Sequence, residues 1–115
     1  MGIGWRCIVA TSALVGSMSV GASALTVGEC FEGSDFITNA ARARENGMTR
    51  AAFLERMEED LMLIQAYPPQ LRWFAKDEDD ERFLLEAARD VFDAPDAPEG
   101  HRARFLSACF ARSTI

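Results

Sequence analysis

Apolar positions fall into two regimes along this chain. From Cys7 to Gly28 no charged residue interrupts a stretch holding Ile8, Val9, Ala10, Leu14, Val15, Met18 and Val20; beyond it, apolar residues return at spacings of three and four. The second regime is the period of helices that bury one face. Its clearest stripe is Leu54, Met57, Leu61 and Ile64, opposed by Glu55, Arg56, Glu58, Glu59 and Asp60. That pattern predicts an amphipathic helix capped by Thr49 and ended by Pro68 and Pro69, which cannot donate the hydrogen bonds a continuing helix needs.

Three further helices follow from the same reasoning. Ile37, Ala40, Ala41 and Arg44 share one face of a helix running from about Phe31 or Ser34 to Asn46, where Asn46 and Gly47 form a stop. The acidic cluster Asp77, Glu78, Asp79, Asp80 and Glu81 suits a helix start, and Leu84, Ala87 and Val91, flanked by Phe83 and Phe92, supply that helix with an apolar face. After the break from Asp93 to Pro98, Asp96 is the expected cap of a last helix, with Glu99 three positions on as its capping-box partner. Phe105, Leu106, Cys109 and Phe110 are the expected buried side. Alternating and β-branched runs are scarce, so the fold class predicted is all-α, a small bundle of about four helices.

The uncharged opening run decides where that bundle begins. Arg6 precedes it, and Ala22, Ser23 and Ala24 make an A-x-A site, so residues 1–24 read as a signal peptide cleaved after Ala24, followed by one helical domain over residues 25–115. A lasting anchor needs ~17 to 25 apolar residues, whereas this run is diluted by Thr11, Ser12, Gly16, Ser17, Ser19, Gly21 and Ser23. Lipid attachment at Cys30 is disfavoured by the acidic Glu29 before it. Loss of Arg6 with the signal moves the formal charge from −6 to −7. So acidic a chain repels nucleic acid and anionic lipid, which argues against a polyanion as main partner. No later stretch is long and apolar enough to span a membrane, so no stable membrane insertion is expected after cleavage.

Cleavage also removes Cys7 and leaves Cys30 and Cys109, one near each end of the processed chain. In an oxidising compartment such a pair is most simply one intramolecular disulfide that staples the last helix to the first. Both cysteines fall on expected core faces. A metal pair lacks further ligands, because His101 is the sole histidine, and a redox dithiol lacks the Cys-x-x-Cys spacing.

Residues with catalytic potential form no recognisable constellation. Asp77, Asp79 and Glu81 imitate the start of a calcium loop, but Arg82 stands where glycine is needed and Ala88 where the closing glutamate is needed. Glu55, Glu58, Glu59 and Asp60 have the spacing of an ordinary solvated face. His101, beside Arg102 and Arg104 in the first turn of the last helix, is expected at the surface, and Ser34, Ser107 and Ser113 lack a nucleophile elbow. The expectation is therefore no catalytic residue, no metal and no cofactor.

The connector Tyr67, Pro68, Pro69, Gln70, Leu71, Arg72, Trp73 and Phe74 is the most suggestive segment. Aromatics and arginine dominate interface hot spots, which makes Tyr67, Arg72, Trp73 and Phe74 candidates for partner binding. The competing reading folds Leu71, Trp73 and Phe74 down as a lid on a small core that needs every large apolar residue. The function expected is a non-enzymatic periplasmic or secreted protein that binds another envelope protein, as an inhibitor, adaptor or immunity-type partner does. An acid-stress periplasmic chaperone is the alternative, and a small hydrolase ranks third.

Together, the signal segment, Cys30 opening the first helix, Arg44, Glu45, Asn46 and Gly47 closing it, Phe92 before Ala94 and Pro95, and Cys109 in the last helix resemble an uncharacterised family of small exported bacterial helical proteins with two cysteines. The resemblance implies a periplasmic or secreted location and a helical fold. It brings no activity and no site residues.

Overall fold

The computed structural model of the chain describes residues 25–94 and 96–113; the expected signal peptide, residues 1–24, lies outside them. Among the described residues four α-helices follow one another: α1 (Val27–Glu45), α2 (Arg50–Ile64), α3 (Glu78–Asp93) and α4 (Pro98–Arg112), with a 3₁₀ turn over Pro69–Leu71 between α2 and α3. No strand occurs among the described residues. The fold class is all-α, as the apolar periods predict.

Helix α1 is the centre of the arrangement: α4 packs along it most extensively and α3 beside it, while α2 packs on α3. Its start is set by Thr26, whose hydroxyl accepts the Glu29 amide while the Glu29 carboxylate accepts the Thr26 amide, a complete capping box. The helix thus begins well before Phe31 or Ser34. It ends where Gly47 adopts a φ of 100° and the Met48 amide reaches back to the Ala43 carbonyl, a left-handed stop that glycine adopts without a Cβ clash. Thr49 and Asp77 cap α2 and α3 through their side chains. Helix α4 departs from expectation: Ala97 is the N-cap, no side chain caps it, and Pro98 occupies the first turn. Asp96 is instead engaged by Arg104, at 2.7 Å, and by the amide of Ala97 next to it.

The core gathers Ile37, Ala40 and Ala41 from α1, Leu54, Met57 and Leu61 from α2, Leu84, Ala88 and Val91 from α3, and Phe105 from α4, with Leu25, Phe74 and Ala75 from the connecting segments. Ile64 and Ala87 pack at its edge. Phe110, expected inside, is 38% exposed, and its ring meets the exposed Phe31 edge-on at 5.6 Å. Cys30 and Cys109 are joined in a fully buried disulfide with Cα atoms 5.7 Å apart, fastening α4 to α1 across a sequence separation of 79.

Candidate functional site

The segment between α2 and α3 divides its residues between core and solvent. Phe74 is fully buried, ringed by Phe83, Phe105 and Trp73 at centroid distances of 6.4, 5.9 and 5.7 Å. It reaches that place with a φ of 50°, and the Ala75 amide bonds to the Trp73 carbonyl across it, a tight turn that a non-glycine residue adopts at a cost in strain. Trp73 is half-covered, its ring 5.8 Å from Phe36. Tyr67 at 58% and Leu71 at 68% face solvent, as do Met62 at 71% and Leu63 at 68% at the end of α2. The segment is thus a lid at Phe74 and turned outward at Tyr67 and Leu71, and the end of α2 before it adds exposed Met62 and Leu63.

Arg72 holds this shape from within. Its guanidinium donates to the carbonyls of Tyr67, Lys76 and Gln65 at 2.8, 3.1 and 3.2 Å, so one planar fork gathers three backbone acceptors that no helix satisfies. Lys76 continues the chain of contacts: its ammonium donates to the Arg72 carbonyl and pairs with Glu29 at 2.7 Å. Glu29 therefore serves two ends at once, the cap of α1 and the connector. Burial opposes its charge, yet the Lys76 ammonium and the Thr26 groups outweigh that and hold its carboxyl below the ordinary value. Asp80, buried at the start of α3, accepts the Lys76 amide; burial first, then the neighbouring Asp77, pushes its carboxyl upward.

His101 is buried, contrary to the surface position expected of it. Arg44, from the far end of α1, donates to the carbonyls of Val91 and Asp96 and brings one guanidinium nitrogen to 3.5 Å from the imidazole Nε2. Arg104 places a guanidinium N–H 3.0 Å from Nδ1, which fits a neutral ring accepting at Nδ1. Burial, followed by the charges of Arg104 and Arg44, pushes the imidazole pKa below its ordinary value. A surface position is only the default for a lone histidine in a first helical turn; the residue that covers it, Arg44, comes from 57 positions away.

Beside this cluster an open groove of about 530 Å³ runs between α3 and α4, lined by Ile37, Phe83, Ala87 and Phe105 below and by Glu86, Asp90, Arg104, Ser107, Ala108 and Ala111 along its sides. Of the serines singled out from sequence, Ser34 is buried with its hydroxyl on the Phe31 carbonyl, Ser113 bonds the Phe110 carbonyl, and Ser107 lines the groove. No group of three or more His, Cys, Asp or Glu side chains among the described residues is placed to hold a metal ion.

Comparison with protein-family models, curated proteins and solved structures finds no match. The buried disulfide suits an oxidising environment. No helix among the described residues is long and apolar enough to cross a membrane.

Proposed function

We propose that the chain is an exported, non-enzymatic protein, periplasmic or secreted, whose helical domain binds another protein through the segment from Met62 to Trp73. One observation carries this reading: four large apolar side chains, Met62, Leu63, Tyr67 and Leu71, stand outside the core within one short stretch of chain. Clustered apolar exposure of this kind marks interaction surfaces, whereas isolated exposed residues do not. The surface is also pre-ordered. Pro68 and Pro69 stiffen it and Arg72 fastens its backbone, so little further ordering is needed when a partner docks. Arg72 and Phe74 contribute by holding the segment, and Tyr67 and Leu71, with the open part of Trp73, present the contact area. Export is supported by the A-x-A site ahead of Leu25 and by a disulfide that persists where thiols oxidise.

Two measurements test the reading. The exported product should begin at Leu25 by mass spectrometry. A partner isolated from envelope extract and purified should bind the oxidised chain saturably, and Leu71→Asp or Tyr67→Ser should weaken it about tenfold or more. Met48→Ser, at another exposed apolar position, should leave binding unchanged, with helicity equal in all three variants. A partner that binds the Leu71 and Tyr67 variants as tightly as the parent removes this segment from the interface.

A further inference from the structure

Helices α3 and α4 both rest on α1 but scarcely on one another. They run antiparallel and meet through the rings of Phe83 and Phe105, 5.2 Å apart, and through the Arg112 guanidinium, 4.6 Å above Phe83. Outside those rings lies the groove of about 530 Å³. Its floor is aromatic and aliphatic, and its α4 wall carries Ala108 and Ala111, whose small side chains admit another helix to the ~8 to 10 Å axial separation of packed helices.

Charge distinguishes the two walls. Glu86 and Asp90, one turn apart on α3, line the groove and take part in no ion pair among the described residues. On the α4 wall Arg104 is already neutralised by Asp96 at 2.7 Å. The groove therefore offers an apolar floor with two unpaired carboxylates on its α3 edge and the Arg112 guanidinium over its Phe83. The α2 helix of a second copy is a poor occupant, because its exposed side carries Glu55, Glu58, Glu59 and Asp60, which would face Glu86 and Asp90 with like charge.

We propose that the groove between α3 and α4 receives an amphipathic helix of a partner protein, with a stripe of small apolar residues toward Phe83 and Phe105 and lysines or arginines along the α3 edge. This surface shares no residue with the Met62 to Trp73 segment and stands or falls independently of it.

The test titrates the full oxidised chain with two labelled synthetic helices that share one Ala/Leu stripe, the first flanked by lysines and the second by glutamates. The lysine helix should bind one-to-one and about tenfold tighter than the glutamate helix. Double reversal by Glu86→Lys and Asp90→Lys should invert that preference. Glu58→Lys with Glu59→Lys on α2 makes the same change in net charge and should leave it intact. Ala108→Phe, at a solvent-facing position, should fill the groove and weaken the lysine helix about tenfold without lowering the unfolding temperature. Equal binding of the two helices, an equal response to both charge reversals, or indifference to Ala108→Phe would overturn the proposal. Self-association of the chain that Ala108→Phe abolishes would overturn it too, by giving the groove to a second copy.

Discussion

The ring of Phe74 lies directly on the backbone of Gly33: a Cβ placed on that glycine would sit 2.7 Å from the Phe74 ring and equally close to the ring of Phe105. A glycine inside a helix forgoes up to ~1 kcal/mol relative to alanine. Here that loss lets two aromatic side chains from distant parts of the chain meet over α1. The lid, the last helix and the central helix converge at this one missing side chain.

Gly33→Ala is therefore expected to destabilise the domain in spite of its better helix propensity. Overpacking a well-filled core costs about 1 to 3 kcal/mol, more than the propensity gain. The readout is the midpoint of denaturant unfolding, which should fall with no change of slope. Gly28→Ala is the control, because a Cβ there meets nothing closer than 3.9 Å and should be neutral or stabilising. A Gly33→Ala midpoint equal to or above the parent's would show that the rings move aside freely.

Much of this arrangement is legible in the sequence where one short-range rule governs. Leu54, Met57 and Leu61 are buried as their spacing predicts, Thr49 and Asp77 cap their helices, and Cys30 pairs with Cys109 as parity after cleavage, an oxidising compartment and their core-face positions predict. The capping box of Thr26 and Glu29 was also readable as a Thr-x-x-Glu pattern, although its closeness to the Ala24 cleavage site hid it. Other features depend on contacts that no local pattern encodes. His101 is covered by Arg44 from the opposite end of the domain, and Asp96 leaves its capping position because Arg104 binds it. The connector gave a choice between lid and docking surface, and the structure divides it residue by residue: Phe74 goes inward, while Tyr67 and Leu71 stay out.

Reduction of the disulfide, or its removal by Cys30→Ser with Cys109→Ser, releases a loop with a sequence separation of 79. Chain entropy assigns such a link about 4 to 5 kcal/mol, a large share of the ~5 to 15 kcal/mol that domains of this kind possess. The double variant should show a much lowered unfolding temperature, and the parent should approach it when dithiothreitol is added. Unfolding that is insensitive to reductant would mean that helix packing alone holds α4 to α1.

Arg72→Lys keeps the charge but loses the planar fork that gathers the carbonyls of Gln65, Tyr67 and Lys76. A lysine can reach one of them and leaves the others to water. The expected result is faster amide exchange and earlier proteolytic cutting between Gln65 and Lys76, with protection in α1 and α4 unchanged. Exchange in the connector that matches the parent would assign its order to the prolines and to Phe74 instead.

His101 gives stability a defined dependence on pH. Its folded pKa lies below the ordinary value, so on acidification the unfolded chain takes up a proton at about pH 6.5 while the folded chain resists. Stability from this group is present above pH ~6.5 and is lost as the pH falls toward the lowered folded value. His101→Gln should flatten the stability curve in that window. The parent's second decline, below pH 4.5, should persist in the variant, because Glu29 has a lowered pKa and loses its contribution only as it protonates there. An identical slope in parent and variant below pH 6.5 would exclude the imidazole as its source.

Asp80 works in the opposite sense. Its carboxyl is pushed above its ordinary value by burial and by Asp77, so the ionised form is the less favourable one in the folded chain. At neutral pH it detracts from stability, and that penalty fades as the pH falls through the raised folded pKa and is gone below the unfolded value of about 3.8. Asp80→Asn keeps an oxygen to accept the Lys76 amide, removes the charge beside Asp77 and leaves the Asp77 cap of α3 in place. The variant should therefore unfold at a higher temperature than the parent at pH 7, and the difference should shrink toward zero near pH 3. A variant less stable at pH 7 would show that the carboxylate is needed as an anion, with Arg112, which acts on it across the same end of the bundle, as the cation that makes it so.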